Sequence, residues 1–452
     1  MDPVRIIIIG ATGDLAKKKL FRALFDLYAA GKLPEDVDVI GCARRELSGE
    51  EFAAYVQEAV GMRESEAFAR VNEFISHCRY VSGDFTTPEG YVRLSALLAE
   101  SRRCTHTLFY LAVSPDLYAP IFDALSTSGL AIPCVTVNGK SAWVRIAVEK
   151  PFGRDAETAM ALEKKLSASF AEEQIFRIDH YLAKENLENI LAFRFGNRLF
   201  FDLWSHEHIE SVHARLMEPF GIASRGAFYD GFGALRDVGQ NHLLQMLSLI
   251  AMRRPEAFTE SAIRTAREHA LSTFRFKRVV AKGQYETYAA EANIPLDSQT
   301  ETYFKIEANF DMPEWEGVPF VLEAGKKMPE HQVDITISFK PSLLFPAGRN
   351  SIVFSIAPKE TITIGFAAKK RGYGFSFEPR AFSFEYDDGS PDKPKEAYEK
   401  LLHDAVTGSR ALFLSSSEVA YSWAFVSNVL EGWKDIPVTR YPDGSIPPEE
   451  MA

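Results

Sequence analysis

The chain has 452 residues, enough for two large domains, and its 46% hydrophobic and 25% charged residues are the balance of a folded globular protein. Lys plus Arg number 51 against 62 Asp plus Glu, a formal net charge of −11 that argues against nucleic-acid or other polyanion binding; any phosphate must be met by local groups. No apolar run approaches the roughly 20 residues that cross a bilayer, and no signal-peptide pattern opens the chain, so the expectation is a cytoplasmic protein without membrane contact.

The first half alternates β-rich runs with amphipathic stretches. Strands are expected at Val4–Ile9, Val37–Ala43, Thr107–Ala112 and Trp143–Val148, and helices at Leu15–Ala30, Glu50–Met62, Tyr91–Glu100 and Asp155–Phe170. That alternation builds a parallel sheet covered by helices on both faces.

Directly after the first strand, Gly10-Ala-Thr-Gly13-Asp-Leu-Ala16 reads as a tight turn entering a helix. Glycines at 10 and 13 let the backbone approach a ligand, free N–H groups at the helix N-terminus hold a pyrophosphate, and Ala16 is a permitted replacement for the third glycine. The competing reading is a glycine turn that binds nothing. The second strand ends in Arg44-Arg45, where an acid would hold the ribose 2′-OH of NAD. Planar guanidinium groups suit a 2′-phosphate, so NADP is the expected cofactor, with a solvated arginine pair as the alternative.

Glu149-Lys150-Pro151-Phe152-Gly153 follows the strand-like Trp143–Val148, where a parallel sheet places ligand-contacting residues. Lys150 there is read either as reaching a nicotinamide and a sugar hydroxyl or as a surface charge. Two later segments concentrate polar residues: Arg177-Ile-Asp179-His180-Tyr181-Leu-Ala-Lys184-Glu185 and Arg236-Asp237-Val-Gly-Gln240-Asn241-His242-Leu-Leu-Gln245. At about 100° per residue His180 and Lys184 share a helix face, as do Val238, His242 and Gln245. A histidine in such a stripe is ordinarily structural; the alternative is that two carboxylates, two histidines and a lysine, Asp179, Asp237, His180, His242 and Lys184, converge as a base with its orienting acid beside a phosphate clamp.

Beyond about residue 175 helices give way to period-2 segments at Thr302–Phe310, Val333–Phe339, Ile352–Ile356, Thr361–Phe366 and Phe382–Tyr386, an antiparallel sheet with one buried face. In Val333–Phe339 the Asp, Thr and Ser positions form the open face, free to meet a helix layer or a second subunit. The stretch from Tyr441 reads as a loose tail. A domain boundary is expected between 1–176 and 177–452. The four cysteines, Cys42, Cys78, Cys104 and Cys134, show no metal-ligand spacing or pairing pattern and are expected to be reduced, mostly buried thiols.

Residues 10–19, 149–153, 177–185 and 236–245 resemble, in order and at suitable separations, the signatures of glucose-6-phosphate dehydrogenase, and Val318–Lys327 resembles a later segment of that family. The resemblance implies a Rossmann-type α/β N-terminal domain followed by an α+β C-terminal domain with a large, mainly antiparallel sheet, through which the family forms homodimers or homotetramers. It implies oxidation of β-D-glucose 6-phosphate at C1 to 6-phospho-D-glucono-1,5-lactone with hydride passing to NADP, the first oxidative step of the pentose phosphate pathway. By the same resemblance His242 is the general base and Asp179 orients it. His180, Tyr181 and Lys184 hold the sugar phosphate, Glu218 and Asp237 accept from glucose hydroxyls, and Lys150 and Lys326 contact substrate. Gly10, Ala11, Thr12, Gly13, Asp14, Leu15, Arg44, Tyr118 and Lys150 match cofactor positions; no metal is implied.

The chain departs from the family pattern at Ser114, where a second proline is usual, at Ala183, where glycine is usual, and at Met328-Pro-Glu-His331, where an arginine is expected. Lys369-Lys370-Arg371 reads as a solvated turn rather than as part of a second, structural NADP site. The alternatives to the dehydrogenase are a relative with a different sugar or cofactor preference, and a non-catalytic NADP-binding sensor or assembly protein on the same fold.

Overall fold

Every residue of Val4–Ile9 is buried, because a strand inside a parallel sheet is covered on both faces. In the computed structural model, which describes residues 2–61, 68–100, 103–135, 139, 141–343, 349–385 and 396–447, this run is β1. Met62, Tyr386 and the last five residues of the tail lie outside the described residues. With β2 (Asp38–Ala43), β3 (Cys78–Ser82), β4 (His106–Leu111), β5 (Val144–Glu149) and β6 (Ile175–Ile178), β1 forms a parallel sheet in the order β6-β5-β4-β1-β2-β3. The order reverses between β1 and β4, which leaves a crevice at their carboxyl ends. Helices at Phe21–Ala29, Gly49–Val60, Pro88–Glu100 and Ala156–Ser169 connect the strands as expected. Gly49–Val60 begins at a capping box in which the Ser48 side chain accepts from Glu51 N and the Glu51 carboxylate accepts from Ser48 N.

The chain divides into two compact units, and the division is not a single cut at 176. The first comprises Met1–Gly153, Glu157–Ala183 and Lys395–Ser416, so a late stretch of chain returns to it. There the helix Ala397–Thr407 receives Arg145 Nη1 on its last carbonyls, Ala405 O and Val406 O, at 2.7 Å each, a cation at the negative end of a helix. Phe413–Leu414 then adds antiparallel to β6. Composition gives no sign of such a return, because the returning segment is short and carries no motif of its own.

Cys104 and Cys134 form a disulfide with Cα atoms 5.6 Å apart, which corrects the expectation of four reduced thiols. They stand 30 residues apart in sequence, before β4 and after the helix Tyr118–Ser128, and only the folded unit brings them within bridging distance. Cys42 and Cys78 are free.

The second unit is built on a nine-stranded sheet of β7 (Ile209–Met217), β8 (Phe274–Tyr285), β9 (Tyr303–Phe310), β10 (Phe320–Gly325), β11 (Gln332–Phe339), β12 (Ser351–Ala357), β13 (Thr361–Lys369), β14 (Phe377–Glu385) and the short Thr439–Tyr441. Its order is β14-β13-β12-β11-β7-β10-β9-β8 with Thr439–Tyr441 at the far edge; β7/β10 and the edge pair are parallel and the rest antiparallel. The helical segment Leu235–Leu243 packs on β7 and β10.

Two expectations fail here, one through a cross-strand ion pair and one through strand pairing at the sheet edge. Asp334 is not on an open face: it is buried and paired across the strands with Arg215 at 2.9 and 3.1 Å. Tyr441 does not begin a loose tail either, since it is fully buried and its hydroxyl donates to Lys326 O at 2.7 Å. Among the described residues no helix is long and apolar enough to cross a membrane.

Candidate active site

The crevice of the first unit is a cleft of about 520 Å³ walled by the ends of β1, β2 and β4. Gly10 has φ +93°, and a Cβ there would lie 2.3 Å from Ala112 O, so the turn excludes every side chain. The amides of Gly10 and Ala11 both donate to Cys42 O, at 2.7 and 3.1 Å, and Gly13 N donates to Gly10 O. These bonds tie the turn to β2. They leave the amides of Thr12, Asp14 and Leu15 without a main-chain acceptor among the described residues, and these are the donors available to a phosphate. The following helix opens as a widened turn, with Phe21 N on Ala16 O five residues back.

Of the residues matched to the cofactor, Gly10, Thr12, Gly13 and Arg44 line this cleft. Ala11 is buried, Asp14 turns its carboxylate to Lys18 at 2.7 Å, and Leu15 stands off the wall. Tyr118 is fully buried, its hydroxyl on Glu149 O at 2.9 Å, so it presents no surface to the cleft. Arg44 is exposed and has no ion-pair partner among the described residues. The first acid after it, Glu46, accepts from Ser82 Oγ and pairs with Arg93 instead of facing the cleft. Asp84 lines the opposite side; hydrogen bonds from Thr86 hold its carboxyl below the usual range, with Arg44 adding to the effect. Ser114, the departure from the double proline, also lies on this wall.

At the neighbouring strand ends, Glu149 of β5 stands opposite Ile178 of β6, so Lys150 and Asp179 leave the sheet side by side. Asp179 is 1% exposed and its Oδ1 accepts from Tyr181 N at 3.0 Å, a local turn that sets His180 and Tyr181 with ring centroids 5.1 Å apart. Tyr398, from the returning helix, stacks near His180 with centroids 6.3 Å apart and an interplanar angle of 13°. Nothing in the sequence singles out Tyr398, which lies more than 200 residues beyond the motif it supports.

The second unit repeats the device. β7 and β10 run parallel with Met217 opposite Gly325, so the next residue of each, Glu218 and Lys326, emerge together. Lys326 is 2% exposed, and its ammonium lies 2.5 Å from Glu218 Oε2 and 3.1 Å from Asp237 Oδ2. Arg225 reaches the other oxygen of Asp237 at 3.6 Å. Two carboxylates around one buried ammonium keep acceptor capacity for ligand hydroxyls. Asp237 and His242 belong to a widened helical segment, Leu235–Leu243, closed by Leu244 N on Gly239 O five residues back; the 100° spacing therefore does not hold across it.

His242 is buried, and its main-chain N donates to Asn241 Oδ1 at 2.7 Å. Glu301, another residue with no sequence signal, accepts from Leu235 N at 3.0 Å and anchors the start of the segment. Lys184 sits at the entry to the helix Glu185–Gly196, its ammonium pushed down by burial against the opposing pull of Glu360. His331, standing where an arginine is expected, is exposed, with its ring 6.5 Å from that of Phe220.

Residues 7–189 match the family description "Glucose-6-phosphate dehydrogenase, NAD binding domain", and residues 191–452 match "Glucose-6-phosphate dehydrogenase, C-terminal domain". The chain belongs to the glucose-6-phosphate dehydrogenase family. It is 36% identical to glucose-6-phosphate 1-dehydrogenase of Borreliella burgdorferi, over 99% of this chain and 95% of that one, and 34% identical to that of Bacillus subtilis over 98% and 95%. A solved glucose-6-phosphate dehydrogenase in complex with glucose-6-phosphate superposes with a TM-score of 0.90 at 34% identity, covering 99% of this chain and 95% of that one. The enzyme from Mycobacterium avium gives 0.85 at 30%, covering 98% and 94%.

Proposed function

We propose that this chain is a glucose-6-phosphate 1-dehydrogenase that oxidises β-D-glucose 6-phosphate at C1 and passes hydride to NADP. The observation that carries the reading is the family match over both halves together with the motif residues Lys150, Asp179, His180, Tyr181, Lys184, Glu218, Asp237, His242 and Lys326. The cleft of the first unit fits a dinucleotide, with a turn that only glycine permits, helix-start amides for a pyrophosphate and Arg44 for a 2′-phosphate. Glu46 faces away from it, which supports NADP over NAD. Bound there, NADP supplies the hydride acceptor.

The chain's own residues do the rest. His242 accepts the proton of the C1 hydroxyl as the C1–H bond breaks, so that the C1–O bond becomes the lactone carbonyl. Asp179 orients the imidazole and stabilises its positive charge. Glu218 and Asp237 accept from sugar hydroxyls with Lys326 between them, and His180, Tyr181 and Lys184 meet the phosphate. A dianion arriving beside Lys184 restores the charge that burial opposes.

The two domains of this reading are a nucleotide-binding part and a substrate-binding part that also carries the oligomer contact. A homodimer or homotetramer through the nine-stranded sheet is supported by edge strand β14, where Phe382 and Phe384 are 68% and 49% exposed. A cytoplasmic setting completes the reading. Glucose 6-phosphate or glucose, each mixed with NADP or NAD, separates the possibilities by the absorbance of reduced nicotinamide. Turnover is expected with glucose 6-phosphate and favours NADP. Silence in all four mixtures, with NADP still bound, would make the chain a non-catalytic nucleotide-binding protein.

A further inference from the structure

We propose that Glu149 is a positioning residue for the transfer step, its carboxyl gripped by phenols from β4 and from the helix Ala397–Thr407 so that it fixes the two strand ends carrying Lys150 and Asp179. This rests on the functional reading above. Glu149 is buried and is held at three points. Tyr110 donates to its Oε1 at 2.5 Å, Tyr398 donates a second bond to the carboxyl, and Tyr118 donates to its main-chain carbonyl at 2.9 Å. Tyr110 and Tyr118 are themselves fully buried, so the grip is rigid.

What the grip controls follows from the register. Glu149 is paired with Ile178, and the next residue on each strand is Lys150 or Asp179. A shift of Glu149 therefore moves both at once. Tyr398 carries the same constraint to His180, on whose ring it stacks.

Shape alone does not call for an acid here. A buried carboxyl is costly to ionise, but it offers two oxygens to the two phenols, where an amide offers one oxygen and a nitrogen that only donates. The titratable and charged groups that face Glu149 are Tyr110, Tyr118, Tyr398, Lys150 and Asp179; Lys150 favours its charge and Asp179 opposes it. Burial, the largest influence, pushes its carboxyl up to about 7, so its charge changes near neutral pH. When ionised it adds negative field beside Asp179 and favours protonated forms nearby.

Glu149→Gln keeps the shape, removes the charge and leaves one acceptor oxygen for the two phenols, which loosens the grip. Its kcat is expected to fall about 10- to 100-fold with KM for NADP changed less than about threefold, as for a misplaced but intact site. With the negative field gone, the acid limb of the kcat/KM profile moves to lower pH. Thermal unfolding gives a readout that needs no substrate. A folded-state value raised to about 7 stabilises the parent at low pH and loses that contribution as pH rises through 7. The Gln variant should therefore gain in Tm relative to the parent between pH 5 and 8. Parent-like kcat with an unmoved acid limb overturns the proposal. Should the Gln variant fail to fold, Tyr110→Phe replaces it. That variant should lose about two- to tenfold in kcat at near-parent Tm, and unchanged kcat there overturns the proposal as well. A parent protein silent toward glucose 6-phosphate would instead sink the functional reading, and the pH–stability comparison would still report on the carboxyl itself.

Discussion

In the proposed reading, Arg44 is the residue on which cofactor choice turns. It lines the nucleotide cleft, exposed and without an ion-pair partner among the described residues, while the neighbouring acid is engaged by Ser82 and Arg93. A charge-assisted contact to a 2′-phosphate is worth about 1.5–3 kcal/mol, so Arg44→Ala should raise KM for NADP about 10- to 100-fold and leave KM for NAD nearly unchanged. Steady-state kinetics with each dinucleotide decide this, and equal effects on both would remove the 2′-phosphate role. The identity of Arg44 was legible because the end of the second strand is a fixed place in this topology. Tyr118 was not: its match to a cofactor position says nothing of its burial, and in the structure it acts on the Glu149 carbonyl. Glu301 and Tyr398 were silent for a different reason, since isolated residues in unremarkable segments acquire roles only through distant partners.

At the scale of elements, each unit uses a pair of adjacent parallel strands to bring two residues side by side: Lys150 and Asp179 past β5 and β6 in the first, Glu218 and Lys326 past β7 and β10 in the second. Sequence shows the four residues but not the pairing, because register between strands is a tertiary property. The glycine turn was readable in advance, since position 10 needs φ +93° and no Cβ. Gly10→Ala should weaken NADP binding by at least tenfold and destabilise the first unit by about 1–3 kcal/mol, the usual cost of forcing a side chain into such a backbone. Titration calorimetry and thermal unfolding measure the two effects; parent-like binding would mean that the turn relaxes at no cost. The widened segment Leu235–Leu243 was not readable, because apolar periodicity assumes an even helix and cannot register one extra residue per turn.

For the whole molecule, the two fold classes were legible from strand–helix alternation and period-2 patterning. The late return of Lys395–Ser416 to the first unit and the Cys104–Cys134 bridge were not, since both are contacts between segments with no local signature. The exposed phenylalanines of β14 bear on assembly. If the proposed assembly through this sheet holds, Phe382→Glu with Phe384→Glu should bring the sedimentation coefficient down to that of a monomer in analytical ultracentrifugation, with each unit still folded. An unchanged sedimentation coefficient would place the oligomer contact elsewhere.

The central claim is that one imidazole takes the C1 proton of glucose 6-phosphate as hydride departs. The direct measurement is single-turnover NADPH formation by His242→Asn, alongside glucose 6-phosphate binding by the same variant. The account predicts a rate lower by about two to four orders of magnitude with binding largely kept. A variant that turns over near the parent rate would contradict it.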